Sequence, residues 1–595
     1  MDLDAALRQH FGFEGFRRGQ REACQAALDD RDVLVVMPTG SGKSLCYQLP
    51  ALLRDDLTVV VSPLVALMQD QVDALRARGL GDRVGVVNAQ RDASDNAATV
   101  AAAVEGSVRL LYVAPERFSS PGFVDKLRQA RLGLFVVDEA HCVSQWGHDF
   151  RPDYFRLADA ARALQAKAIV ASTATATPRV AADVVRRLRL DDPLRVATGF
   201  DRPNVSFAVA RPAPHEKHAL LVQALSADDA LPAIVYSGTR AGAEETAERL
   251  TRDLGEPAAA YHAGLERGHR ADVQRRFLAD EVRVVVATNA FGMGVDKPNV
   301  RTVVHTGVPA SLEAYYQEAG RGGRDGAPSR ALLLAENRDK ALHVHFIRRD
   351  ELDPRLPGRL AARLAAAADD GSLPGVSEPR YDVDAGELAK GIGCGFDQLR
   401  ALIGHLSRAG VVRPSPASTD RVAGVLTGAF EGRGQALCRS SVAEAARVRW
   451  RQYREIWAYV EGSACRRTTI LRHFGDNARP EPIGPCCDVC ADGLVPELPA
   501  PDPGSVATLD EAIFSVARGA RPAVGRTTCA EILHGARTKK IERNSYDGLP
   551  AYGTSADMRR ADILGRIDQL IEERRLSTSG GPYPVLLAPA APVAA

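Results

Sequence analysis

The sequence predicts an α/β protein: two lobes, each built on a parallel sheet, followed by winged-helix-like modules and a cysteine-bearing module. Three observations carry this. Between about residues 30 and 345, short β-branched runs alternate with helix-length amphipathic stretches: "DVLVVMP", "LTVVVSP", "VRLLYVAP", "LGLFVVDE", "AIVAST", "AIVYSG", "VRVVVAT" and "VRTVVHTG". Continuous apolar runs of this length, most of them closed by Pro, Gly, Ser or Thr, are what strands covered on both faces require. They are too many for one ordinary sheet, and "ATGFDRPNVSF" (197–207) interrupts the rhythm, so two lobes meet there. Finally, the last third holds helix–turn–helix–strand patterns and four cysteines between 465 and 490.

The division expected from these signals is lobe 1 at 1–200, lobe 2 at 201–348, a winged-helix-like insertion at 349–440, a helical cysteine module at 441–493, a linker at 494–507 and a second winged helix at 508–595. The stretch 351–380 is rich in Ala, Asp and Pro and breaks the α/β rhythm, whereas "VDAGELAKGIGCGFDQLRALIGHLSRAGVVRP" reads helix, turn, helix, strand. "GLVPELPAPDPGSVA" (493–507) has the proline density of a linker. "RRADILGRIDQLIEERRLSTSGGPYPVLLAP" reads as a helix and a hairpin about Gly580 and Gly581.

Lys+Arg 76 against Asp+Glu 75 gives a net charge of +1, so any nucleic-acid binding must come from local basic surfaces. The start "MDLDAALRQHFG" has no apolar signal core, and no run approaches the ~20 apolar residues that span a bilayer. A cytoplasmic protein without a membrane partner is the expectation. Six of ten cysteines are scattered and four cluster, which suits a metal site better than a disulfide framework.

"MPTGSGKS" (37–44) follows a strand and precedes an apolar helix. In such a loop the backbone of Thr39, Gly40, Ser41 and Gly42 wraps phosphates, Lys43 reaches the β and γ oxygens of ATP, and Ser44 can ligate Mg²⁺. The first position is Met37 instead of glycine, while the GSGKS core is intact. Asp138 and Glu139 close the strand "LGLFVV": one carboxylate can hold Mg²⁺ through water while its neighbour orients the attacking water. In "QEAGRGGRDG" (317–326) Arg321 and Arg324 are three apart and share a face if helical; guanidinium forks suit a γ-phosphate and the charge that develops on it.

With these motifs in place the chain resembles the superfamily 2 helicases and, more narrowly, the RecQ family of DNA helicases. "FGFEGFRRGQREA", "MPTGSGKSLCYQLPA", "VSPLVALMQDQV", "DEAHCVSQWGHDFRPDY", "STATATP", "GFDRPNV", "YHAGL", "ATNAFGMGVDKPNVR" and "YYQEAGRGGRDG" match in order and spacing, densely over 10–345 and more loosely over 445–590. The resemblance implies RecA-like lobes, Gln20 and Arg17 reading adenine, and Phe13 stacking on it. It implies that "HCVSQWGHDFRPDY" is an aromatic-rich loop on which single-stranded DNA reports to the ATP site. Trp146 and Phe150 offer faces for base stacking and Arg151 can meet a phosphate or an ATP-site carboxylate; the alternative is that the two aromatics fill the lobe interface. Ser62, Thr288 and Asn289 fall where the family's lobes touch the DNA backbone, and Thr173 where ATP state is linked to lobe closure.

Cys465, Cys486, Cys487 and Cys490 form a thiolate set suited to a structural, tetrahedral Zn²⁺. The family spaces its last three cysteines by two residues, whereas Cys486 and Cys487 are adjacent, which leaves one ligand open with Cys438 as the outside candidate. In the last module Arg526, Lys539, Lys540 and Arg543 are phosphate-contact candidates, and Tyr583 could wedge a base pair or pack on its own hairpin. Two roles are open for the insertion: binding DNA, or bracing the cysteine module. The expected activity is an ATP-dependent DNA helicase of recombination and repair, moving 3′ to 5′ as the resemblance implies, on single-stranded and forked duplex DNA. A monomer is expected, with a single-strand-binding protein as candidate partner. The alternatives are an RNA-directed helicase of the same superfamily and an ATP-gated clamp that anneals strands without unwinding.

Overall fold

The computed structural model describes residues 2–589 apart from 39, 64, 89, 120, 145–153, 155, 214–215, 293–296, 370–377, 416–419, 499–502, 557 and 581–583. In the first lobe, β1 (Val33–Val36), β2 (Leu57–Val61), β3 (Val84–Val87), β4 (Leu110–Val113), β5 (Leu132–Val137), β6 (Ala168–Thr173) and β7 (Leu194–Ala197) form one sheet in the order β3-β4-β2-β5-β6-β1-β7. Every pairing is parallel. Because β6 lies between β5 and β1, Thr173, in register with Val36, stands between the acidic pair and the phosphate loop.

The second lobe repeats the plan with β8 (Val205–Ala210), β9 (Ala233–Tyr236), β10 (Ala258–Tyr261), β11 (Val284–Ala287), β12 (Thr302–His305) and β13 (Ser329–Leu334), ordered β10-β11-β9-β12-β13-β8 and all parallel. Strands of Val, Ile and Leu buried on both faces supply the stabilisation: at ~25 cal/mol per Å² of apolar surface, each such side chain contributes roughly 1.5–3 kcal/mol. The segment 197–207 is shorter as a joint than its sequence reads, since Ala197 ends β7 and Val205 already begins β8.

Beyond lobe 2, β14 (Arg380–Asp384), β15 (Val412–Ser415) and β16 (Arg421–Leu426) form an antiparallel sheet, β14-β16-β15, with helices Leu356–Ala367, Ala385–Ile392 and Phe396–Arg408. Within the alanine-rich stretch that breaks the α/β rhythm, Leu356–Ala367 is a helix that buries Leu356, Leu360 and Leu364 in this module's own core. Helix Phe396–Arg408 puts Leu399, Leu402 and Leu406 into the same core as Cys438 of the long helix Gly432–Glu461.

The long helix runs on to lobe 2, where Trp457 Nε1 donates to His343 Nδ1 at 3.2 Å and Lys340 pairs with Glu461 at 2.5 Å. After the cysteine module, Leu494, Val495 and Leu498 pack against the lobe 2 core, and the next helix starts at Pro503, inside the stretch that reads as linker. Proline suits the first turn of a helix because the N–H it lacks has no partner there. The last module comprises helices Pro503–Gly519, Arg526–Leu533 and Arg560–Glu572 and a hairpin of β17 (Ser577–Thr578) and β18 (Leu586–Leu587). Among the described residues no helix is long and apolar enough to cross a membrane.

A buried ion triad joins lobe 2 to the cysteine module: His473 lies 3.0 Å from Glu313 by Nε2 and 4.0 Å from Glu455 by Nδ1. Burial opposes charge on both Glu313 and His473, yet their contact prevails, drawing the Glu313 carboxyl down to about 2 and holding the imidazole above its ordinary 6.5, with Arg451 opposing. The His473 contribution is complete below its unfolded value and is lost as pH rises through the raised one; that of Glu313 is lost only as pH falls toward 2. Thermal unfolding followed from pH 6 to 9 should show the wild type losing at least about 2 °C more than His473→Gln. Identical slopes for the two proteins would remove the triad as the source.

Candidate nucleotide site and its metal-binding neighbour

The phosphate loop leaves β1 and enters helix Leu45–Leu53. Gly40 and Gly42 take positive φ, 83° and 80°, which residues with a β-carbon adopt reluctantly. A β-carbon on Gly42 would also come to 2.6 Å from Nε2 of Gln20. That amide donates to the Ser41 and Gly42 carbonyls at 2.9 and 3.1 Å, while its oxygen accepts from the Arg17 backbone N–H at 2.8 Å. Arg17 Nη1 donates to the Gly40 carbonyl at 2.5 Å. Gln20 and Arg17 thus brace the loop, a task beyond the adenine reading the resemblance implies. Phe13 is 45% exposed; its ring stacks near Phe11, with centroids 6.2 Å apart, and lies under the Arg78 guanidinium at 5.5 Å. Thr39 lies outside the described residues.

Lys43 is half-buried. Desolvation lowers its pKa, Glu139 and Asp138 oppose that, and Arg324 adds to it. Asp138, buried at the end of β5, is pushed up to about 7 by burial and by the Glu139 charge, with Lys43 pulling the other way. Glu139 adopts left-handed backbone, φ 47°, a conformation that costs about 1–3 kcal/mol and is typical of functional turns. Its Oε2 lies 3.3 Å from His141 Nδ1, which also contacts Thr173 Oγ1 at 2.9 Å. The acidic pair is therefore connected to the end of β6 through one buried imidazole.

From lobe 2 comes Arg324. Its aliphatic stem lies against Gly40, where a β-carbon would come to 3.4 Å from Cγ. A cavity of about 390 Å³ at this seam is lined from lobe 1 by Arg17, Gly40 and Ser41, from lobe 2 by Arg324, and by residues of the joint between them. The expectation of two arginines on one helical face is corrected: the helix ends at Ala319, and both arginines sit in the glycine-rich turn that follows. Arg321 is 5% exposed and faces Gly292 and Tyr236 inside lobe 2, whereas among the described residues Arg324 lies against Gly40 of the phosphate loop. The joint itself carries residues that motif reading did not single out: Arg202 donates to the carbonyls of Gly320 and Gly322 at 2.8 and 2.7 Å, and Asn204 to those of Gly323 and Ala327, both at 2.7 Å. Both lie within "GFDRPNV", a stretch that matches the family, and this was the available signal.

The nucleic-acid candidates are less uniform. Trp146, Phe150, Arg151 and Tyr583 lie outside the described residues; the chain leading to the first three is fixed at Ser144, whose hydroxyl donates to Asp183 at 2.9 Å. Ser62 is 1% exposed at the end of β2, so in this arrangement its hydroxyl does not face solvent. Asn289 is exposed and Thr288 half-buried, with Thr288 Oγ1 accepting from the Ala290 N–H at 3.5 Å. Lys539 and Lys540 are exposed on the short helix Lys539–Arg543, Lys540 reaching Thr528 at 2.9 Å, whereas Arg526 is paired with Asp568 at 2.7 Å.

The sulfur atoms of Cys465, Cys486, Cys487 and Cys490 lie within 4.8 Å of one another, with Cys465 at 3.6 Å from Cys486 and 3.8 Å from Cys487. Zn–S bonds of ~2.3 Å at tetrahedral angles place ligand sulfurs about 3.8 Å apart, so the set fits zinc. The adjacent pair both contribute, and Cys438 is excluded because it is buried in the insertion's core. The same loop closes the exposed edge of the lobe 2 sheet: the Phe207 N–H donates to the Cys486 carbonyl at 3.3 Å, and the Asp488 N–H donates to the Phe207 carbonyl at 3.1 Å. Metal analysis should give one zinc per chain for wild type and Cys438→Ala and well under one for Cys487→Ala; a full equivalent in Cys487→Ala would defeat the four-thiolate assignment.

Comparison with known proteins agrees with this geometry. Residues 17–184 match the DEAD/DEAH box helicase family, 216–326 the helicase conserved C-terminal domain, 433–491 the RecQ zinc-binding family and 509–592 the RQC domain. An ATP-dependent DNA helicase RecQ from Haemophilus influenzae is 43% identical over 337 residues, 57% of this chain and 54% of that protein. The RecQ of Bacillus subtilis is 41% identical over 347 residues, 58% of each. The match thus spans somewhat over half the length of these curated relatives. It reaches 70% of a third, the probable ATP-dependent DNA helicase RecS of Bacillus subtilis, at 39% identity over 350 residues and 59% of this chain. With a phosphate loop facing a second-lobe arginine and a four-cysteine module on the lobe edge, the chain belongs to the RecQ family of superfamily 2 helicases.

Proposed function

We propose that the chain is an ATP-dependent DNA helicase that moves along single-stranded DNA, 3′ to 5′ as its family does, and separates duplex DNA in recombination and repair. The observation that carries this is the approach of Arg324 to Gly40, which lets a nucleotide on lobe 1 be touched from lobe 2. The loop 38–44 wraps the phosphates, Lys43 faces the β and γ oxygens, and Glu139, steadied by His141 and Thr173, orients the attacking water. Ser44 and Asp138 would hold Mg²⁺, which supplies charge neutralisation to the phosphates. Arg324 stabilises charge as it develops on the γ-phosphate and lets go after release, so the lobes close and reopen once per turnover.

Trp146, Phe150 and Arg151 belong to the loop rooted at Ser144, within a few residues of Glu139 and His141. A stacked base contributes roughly 1–3 kcal/mol whatever its identity, which suits a reporter of occupancy in single strands. Thr288, Asn289, Lys539 and Lys540 are the backbone contacts we assign to lobe 2 and the last module. Single-stranded and forked duplex DNA are the substrates, a cytoplasmic monomer the working unit and a single-strand-binding protein the candidate partner.

Strand displacement on forked, 3′-tailed and 5′-tailed duplexes tests the proposal. Wild type should open the forked and 3′-tailed substrates, while Lys43→Ala loses about 10²-fold in turnover and all unwinding. Binding or annealing without displacement would favour an ATP-gated clamp, and preference for RNA duplexes an RNA-directed enzyme. Trp146→Ala should still bind ATP but lose about ten-fold or more of the stimulation by single strands; unchanged stimulation would refute the reporter role.

A further inference from the structure

The cysteine module grips the joint between the lobes. Arg467 follows two residues after Cys465 and is 1% exposed. Its Nη1 donates at 2.6 Å both to the Asp201 carboxylate and to the Arg202 carbonyl, and its Nη2 donates at 2.6 Å to the Val205 carbonyl. Asp201 in turn accepts from the Glu481 N–H at 3.1 Å, and the Phe200 N–H donates to Asp476 at 2.9 Å. Phe200 stacks on Phe474 with centroids 4.4 Å apart and planes 10° from parallel. Every residue of the joint from Phe200 to Arg202 is thereby fixed to the module.

On the other side the joint is fixed to the turn that bears Arg324. The Arg202 fork donates to the carbonyls of Gly320, Gly322 and Gly323, Asn204 reaches Gly323 and Ala327, and Tyr316 donates its hydroxyl to the Phe200 carbonyl at 2.8 Å. A β-carbon on Gly323 would come to 2.3 Å from Asn204 Nδ2 and one on Gly320 to 3.5 Å from Arg202 Nη1, so the turn is seated tightly on these two side chains. Arg324 is the next residue after Gly323.

We propose that Arg202 and Arg467 are positioning residues for ATP turnover: Arg467 fixes the joint to the cysteine module, and Arg202 transmits that position to the turn that aims Arg324 at the phosphate loop. Neither touches nucleotide. Their guanidinium forks span several carbonyls at once, which a lysine ammonium on a flexible stem cannot do. The inference rests on the motor reading above, in which Arg324 acts on the γ-phosphate.

The experiment is a double-variant cycle in the full chain with DNA-stimulated, single-turnover ATP hydrolysis: wild type, Arg202→Lys, Arg324→Ala and the two combined, with zinc content and thermal unfolding as controls. A 1 Å misplacement of a group that acts in the transition state can cost up to about 10²-fold. Arg202→Lys should therefore lower the hydrolysis rate by about ten-fold or more, with nucleotide affinity within about three-fold of wild type, since the residues around the nucleotide on lobe 1 are intact. In the Arg324→Ala background it should cost nothing further. A wild-type rate in Arg202→Lys, or two losses that multiply, overturns the proposal. Should Arg202→Lys lose its zinc or its folded transition, Arg467→Lys is read in the same cycle with the same outcomes. Full turnover by Arg324→Ala alone would instead overturn the motor reading.

Discussion

The architecture depends on a concentration of charge at the seam between the lobes. Lys43, Asp138 and Glu139 sit together at the mouth of lobe 1 where water is scarce, and Arg324 approaches from lobe 2. Two cations near each other raise one another's cost, and the adjacent carboxylates do the same, as the elevated Asp138 shows. A polyanion inserted between Lys43 and Arg324 relieves the first repulsion. Under the function proposed above, this repulsion would make closure of the seam answer to nucleotide.

Polar contacts around the joint tie the cysteine module to the turn that bears Arg324. Arg467 of the cysteine module donates to the Arg202 and Val205 carbonyls, and the glycine-rich turn hangs from Arg202 and Asn204. One apolar cluster runs from Phe135 in lobe 1 through Phe200 in the joint to Trp457 and Phe474, so packing and polar contacts follow the same route. The insertion lies along this route as well, with its core closed by Cys438 of the long helix that continues to Trp457.

Central strands and phosphate chemistry were legible because local sequence dictates both. A strand such as "LGLFVV" is apolar on both faces because neighbours cover both, and a loop such as "GSGKS" needs its glycines for backbone angles that few other residues accept. The strands that escaped reading were largely those at sheet edges. β10 is "AAAY", half-buried throughout; β7 is "LRVA", with one buried residue; β3 is "VGVV", broken by a glycine whose β-carbon would strike Thr99. An edge strand has fewer neighbours to satisfy, so its composition is freer. The roles of Arg202 and Arg467 were illegible for a related reason: both act on backbone carbonyls far away in sequence, and a carbonyl leaves no trace in a residue's identity. The direction of Arg321 was misread because a spacing of three implies a shared face only while the helix continues, and it stops at Ala319.

The bridge between Phe207 and the cysteine loop has a consequence apart from turnover. β8 is the terminal strand of its sheet, and such strands offer unused donors and acceptors to any extended chain in reach. The backbone of Cys486 and Asp488 occupies that row, held in place by the same thiolates that would grip the ion. Loss of the ion would thus do more than loosen a small module: it would bare the Phe207 position of this edge, where another extended chain could pair.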